Sequence, residues 1–275
     1  MSKLFLVITI VGVTVPLLAQ ETGKGALGQV GALGQEVVRR APPPTGPAPR
    51  LPDGTIDLNG LWVGGGPGGN LVTQGGLKDA DLPILPAAKK LMDSRKEEED
   101  PHYFCMPMGV PRSTPYPFRF VQNYTHRKPT HMFILHEGNI HSFRQIFMDG
   151  RKHPAELDPT WFGHSIGSFE KDTLVIDTVG FNDKFWMDHR GTPHTEQLHT
   201  IERWTRLDLG RLENKVTIDD PGAYSRPWTV TFMARLQAPG DELMEWWCME
   251  NNKDLLDGHL DHLKQEEAYK KYFGK

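Results

Sequence analysis

From residue 118 onward, apolar and polar positions alternate in short runs. The runs 118–124, 131–136, 139–147, 163–169, 173–178, 198–207, 211–218, 228–236 and 243–250 are each rich in β-branched or aromatic residues. Period-two alternation places one face of a strand in a core and the other in water. Turn chemistry separates the runs: Glu137-Gly138-Asn139, Asp149-Gly150, Glu170-Lys171-Asp172, Asp208-Leu209-Gly210 and Pro239-Gly240-Asp241. Short turns between such runs predict antiparallel hairpins. Eight or nine strands in series predict a mainly β protein, an antiparallel meander that closes into a barrel or curls into a curved sheet, because closure removes exposed edges. The alternative architecture is a β-sandwich.

Ahead of the meander, residues 58–63 (LNGLWV) read as a short strand running into the glycine-rich loop 64–70. That loop lacks the Lys-Ser/Thr ending of a phosphate cradle. Helical pattern is sparse: residues 86–96 make one helix, and the charged stretch 266–271 a second, C-terminal one. Residues 101–117 hold five prolines and must form an irregular arm.

The N-terminal text sets the compartment. Lys3 precedes an apolar run over residues 4–19, after which polarity returns at Gln20. That run is short of the roughly 20 residues a membrane span needs, so residues 1–20 read as a cleaved signal peptide. Residues 21–50 carry GALGQ twice and then APPPTGPAP, the composition of a flexible tether. Residues 51–275 are left as a single β-rich domain, with no stable membrane span after cleavage. Localisation is therefore expected to be periplasmic or secreted. In such a compartment Cys105 and Cys248 can form one disulfide.

Composition narrows the function classes. Of 275 residues, 31 are Lys or Arg and 35 Asp or Glu, a net charge of −4 that offers no footprint for nucleic acid. Two cysteines are too few for a disulfide scaffold or an all-cysteine zinc site. The surplus lies in twelve histidines, which point to acid–base chemistry on a small molecule. Five of them fall in residues 149–154 (DGRKHP), 161–167 (WFGHSIG) and 188–199 (DHRGTPHTEQLH). No cofactor is expected, although His153, His164 and His194 could supply a divalent metal site. Oligomeric state is not readable.

We expect His164 and His194 to transfer protons, with Asp177, Glu196 and Glu202 orienting them or sharing protons. Arg144 or Arg151 would hold an anionic or hydroxylated substrate, and His153, Trp161, Phe185, Trp186 and His199 would line its aromatic pocket. Glu202 has a structural alternative, an ion pair with Arg144 or Arg206. His194, Glu196 and His199 follow a His-x-Glu-x-x-His spacing. On a strand the first two share a face, whereas on a helix the last two do. Residues 163–167 (GHSIG) match the G-x-S-x-G nucleophile pattern, but another strand follows where the elbow requires a helix.

Two resemblances add to this. Gly60-Leu61-Trp62 ahead of an antiparallel meander resembles the opening strand of lipocalin-like barrels. The segments 105–112 (CMPMGVPR), 147–154 (FMDGRKHP), 163–167 (GHSIG), 172–181 (DTLVIDTVGF) and 202–204 (ERW) resemble a widespread, uncharacterised family of exported bacterial proteins. Phe169 and Lys171 depart from its usual Trp and Gly. This likeness implies export and one domain for all three histidine clusters, and it carries no reaction. The expected activity is thus a secreted acid–base lyase, isomerase or hydrolase. The alternatives are a lipocalin-like carrier of an apolar ligand and a metal-dependent hydrolase.

Overall fold

A computed structural model describes residues 42–125, 128–138 and 142–248. The expected signal peptide, most of the tether and the helix at 266–271 lie outside the described residues. The chain runs β1 (Trp62–Gly64), α1 (Leu71–Gln74), α2 (Pro86–Ser94), β2 (Phe118–Thr125), β3 (Lys128–His136), β4 (Phe143–Phe147), β5 (His164–Glu170), β6 (Thr173–Val179), β7 (His199–Arg206), β8 (Arg211–Asp219) and β9 (Trp228–Leu236). These strands form one closed barrel in sequence order, consistent with the lipocalin-like expectation. Pro86 opens α2 where its missing N–H costs nothing. The Asn70 side chain caps α1 by accepting from the Val72 and Thr73 amides.

One pairing departs from the antiparallel meander. β4 lies parallel to β5 through only two register pairs, Ile146 with Ser165 and Phe147 with Ile166. Parallel neighbours cannot be joined by a hairpin, so residues 148–163 cross over the outside of the barrel. A second departure is at residues 243–248, which form no strand; 249 and 250 lie outside the described residues. The reason is that both edges of β9 are already taken, by β8 and by β1. The segment is held instead by the Arg119–Glu242 ion pair and by the Glu137 carboxylate, which accepts the Met244 amide.

Inward positions follow the alternation. On β7, Thr200, Glu202, Trp204 and Arg206 are buried and their neighbours are not. At the base of the barrel Trp62, Phe118, Phe120, Trp204 and Leu212 belong to one apolar cluster. At the mouth Val216, Ile218, Trp228, Val230 and Phe232 form another, with α1, Phe181, Phe185 and Tyr224. A polar layer separates the two, described below. Arg206 closes the base, its guanidinium 4.8 Å from the Trp62 ring and bonded to the Asp57 and Leu209 carbonyls. Gly60 is required beside it: its φ is +136°, and a Cβ there would sit 2.4 Å from Leu236. A cavity of about 360 Å³ lies at this end, between residues 51–60 and β2. Residues 42–50 lie along the β7–β8 turn, where the Leu209 amide bonds the Gly46 carbonyl at 2.9 Å. Among the described residues, no helix is long and apolar enough to cross a membrane.

Cys105 and Cys248 are disulfide-bonded, their Cα atoms 5.6 Å apart across 143 residues of sequence. The bridge ties the proline-rich arm to the segment after β9. Closing so long a loop removes much of the unfolded chain's freedom, so Cys248→Ser or reduction is expected to cost about 2–5 kcal/mol. Thermal unfolding with and without reductant checks this; an unchanged midpoint would contradict it.

Candidate active site

The outer faces of β5, β6 and β7 carry the residues that can do chemistry. Period-two alternation sends Ser165, Thr178 and Thr200 inward, so His164, Asp177 and His199 project outward. The crossover then lays His153 against them. Asp177 Oδ1 accepts from His199 Nε2 at 2.8 Å and from His153 Nε2 at 3.2 Å. His153 Nδ1 meets His164 Nδ1 at 2.8 Å. Four side chains thus form one hydrogen-bonded chain, open to solvent on one side: the Asp177 side chain is 38% exposed and that of His199 34%.

The proton positions follow from the partners. A carboxylate only accepts, so His153 and His199 both carry their proton on Nε2 when neutral. That leaves His153 Nδ1 bare, an acceptor for a proton on His164 Nδ1. The His164 Nε2 lone pair is then free. Burial, then the His153 ring and the Arg151 guanidinium, lower the His164 pKa, so this ring is neutral at pH 7 and able to act as a base. Phe147 stacks on His164 with centroids 5.0 Å apart. The Arg151 guanidinium lies 3.9 Å from the Phe147 centroid and is held by Asp149.

Arg144 and Glu202 lie inside the barrel, both 2% exposed and ion-paired to each other. Arg144 also donates to Ser165 Oγ at 3.1 Å and Thr178 Oγ1 at 2.6 Å. Every charge in this polar layer faces a partner, the condition for burying an ion pair. Ser165 is buried there, on the face opposite His164, which removes it as a nucleophile for that histidine.

The other predicted residues sit apart. His194 is buried against Phe185, with ring centroids 3.9 Å apart, and its Nε2 donates to the Phe185 carbonyl at 2.9 Å. Glu196 is exposed in a turn. Trp186 is buried beneath the Arg95 guanidinium, and Trp161 packs at the edge of the mouth cluster. Among the described residues, no group of three His, Cys, Asp or Glu side chains is arranged to hold a metal ion.

A buried network that sequence reasoning missed fastens the proline-rich arm. Arg112 clasps Asp100 through both carboxylate oxygens, at 3.0 and 2.6 Å, and donates to His189 Nδ1 at 2.9 Å. Arg112 and Asp100 are each 1% exposed. The only sequence signal was an arginine within the proline-rich run 101–117. His136 is also buried, stacked 6.1 Å from Phe162 at the inner end of β3. Neither of its ring nitrogens makes a hydrogen bond of ordinary geometry, and the Ser113 backbone only weakly favours its charged form.

Compared with protein-family models, with curated proteins and with solved structures, the chain matches none of them.

Burial lowers the His136 pKa to about 3 and those of His102 and His194 to about 4. The unfolded chain takes up these protons as pH falls through about 6.5, while the folded chain does not. Stability is therefore full above that pH and declines below it, down to the folded pKa values. The expected slope is up to about 1.4 kcal/mol per pH unit for each histidine. Urea midpoints at neutral pH and near pH 5 measure it, and His136→Phe should flatten the decline. Equal midpoints at the two pH values would contradict the assignment.

Proposed function

We propose that this protein is an exported proton-transfer enzyme in which His164 is the general base and acid. It acts by elimination, isomerisation or hydrolysis on a small or medium organic molecule. The observation that carries the reading is the hydrogen-bonded chain His199–Asp177–His153–His164. A carboxylate holds one imidazole in a fixed tautomer, and that imidazole fixes the next, leaving a neutral, bare nitrogen facing outward. This is the logic by which a carboxylate orients a catalytic histidine.

In the proposed cycle His164 Nε2 takes a proton from the substrate or from a water. The Asp177 carboxylate holds His153 with its Nδ1 bare, so that ring keeps the His164 Nδ1 proton in place throughout the cycle. The same nitrogen then returns the proton to the product. Arg151 stands beside it to offset negative charge on a substrate oxygen. Export is supported by the apolar N-terminal run and by the Cys105–Cys248 bridge. Against carriage of a ligand within the barrel stands the filled interior, where Trp62, Trp204, Arg144 and Glu202 are all buried.

Proton abstraction is read by deuterium incorporation from D₂O into a panel of carbonyl and aryl compounds with acidic C–H bonds, and hydrolysis by product release. His164→Gln is expected to lower turnover by about 10²–10⁴ without loss of folding. Asp177→Asn should lower it by about 10² or more, by allowing the wrong tautomer. Activity should fall on the acid side with a midpoint below 6.5, the ordinary imidazole value. Arg151→Gln removes a neighbouring positive charge, so that midpoint should move to higher pH. Full turnover in His164→Gln would overturn the assignment. So would binding of apolar ligands with no exchange or turnover in the wild type.

A further inference from the structure

The outer faces of β3, β4 and β5 carry an unbroken row of rings that ends on His164. Phe143 meets Phe133 with centroids 6.1 Å apart, and Phe133 stacks on His131 at 5.9 Å. His131 meets Phe147 at 5.3 Å, and Phe147 stacks on His164 at 5.0 Å. Alternation sends these rings outward while Met132, Ile134, Arg144 and Ile146 fill the interior. Phe143 is 59% exposed, and Val121, opposite Phe133 in the register, is 41% exposed. Leu135 pairs with Phe143 across β3 and β4. Gln145 is the polar side chain between the two β4 rings. From Phe143 to Phe147 the strand advances about 13 Å. A contiguous apolar strip of this kind on an exterior surface marks a contact site.

We infer that this row is the substrate track of the His164 site, and that the substrate is an extended molecule of two or more linked aryl rings bearing an acidic or anionic oxygen. The inference rests on the acid–base reading of His164 and gives that site a substrate class. Aromatic faces and edges at these spacings receive aryl rings by stacked and edge-to-face contact. A sugar chain would need hydroxyl partners beside each ring; Gln145 opposite Phe133 and Asn123 opposite His131 are polar, whereas Phe143 at the far end faces Leu135. At the reacting end the Arg151 guanidinium lies on Phe147 next to His164, and at the far end Arg119, opposite Leu135 in the register, is ion-paired with Glu242. One aryl ring of the substrate lies against Phe147 with its oxygen toward Arg151. The next extends over His131 and Phe133 toward Phe143.

The test is binding to the full chain without turnover, by calorimetry and by ring-proton NMR, with three probes: benzoate, biphenyl-4-carboxylate and cellotetraose. Biphenyl-4-carboxylate is expected to bind about five- to tenfold more tightly than benzoate. In Phe143→Ser that advantage should vanish, with benzoate affinity showing that the variant is folded. Four results would each overturn the track: equal affinities for the two aryl probes, an advantage that survives Phe143→Ser, tighter binding of cellotetraose, or NMR contacts showing the row covered by the chain's own residues 249–275. Since binding is read without turnover, a failed track leaves the proton chemistry standing. A silent deuterium assay with length preference intact would instead remove the chemistry and leave a plain aryl-binding surface, which overturns the substrate assignment.

Discussion

The barrel depends on a thin seam. β4 and β5 share two register pairs, whereas β8 and β9 share eight. Backbone hydrogen bonds alone hold this junction weakly, and side chains brace it from both sides. Inside, Arg144 of β4 reaches Ser165 of β5, Thr178 of β6 and Glu202 of β7. Outside, Phe147 of β4 stacks on His164 of β5. The inner brace is a buried ion pair, and losing one partner would strand the other charge in the core at a cost of about 3–5 kcal/mol.

The same seam creates the candidate site. A parallel pairing demands a long connection, and this one passes over the outer faces of β5 and β6. It carries Arg151 to Phe147 and His153 to the gap between His164 and Asp177. An antiparallel hairpin at this point would leave no chain to carry His153 there. The topology thus joins two unlike needs, closing the barrel and delivering the middle member of a proton relay. Polar groups of the inner layer and of the outer relay alternate along the same strands: Ser165 follows His164, and Thr178 follows Asp177.

Much of this was legible in the sequence, and the limits have physical causes. Alternation located the strands from β2 to β9, because one face of each is buried and the other is not. The ion pair between Glu202 and Arg144 was one of two structural partners the text allowed. The pairing of Asp177 with His199 was harder, since nineteen residues separate β6 from β7 and no short turn fixes their register. The crossover carried no periodicity at all, so nothing announced that His153 would bridge two strands. Nearness in sequence also misleads: His194 lies five residues from His199 yet is buried against Phe185. Asp100 and Arg112 escaped for the same reason as His153, because irregular backbone leaves no pattern to read.

The central claim is a directed proton chain, and the ring nitrogens themselves report it. Nitrogen-15 NMR of the imidazoles at slightly alkaline pH, where ordinary histidines are neutral, distinguishes a protonated from a bare ring nitrogen. The account predicts His153 and His199 protonated on Nε2 and His164 protonated on Nδ1, with His164 Nε2 bare. A His164 ring protonated on Nε2 would contradict it, because the nitrogen assigned to take the substrate's proton would already carry one.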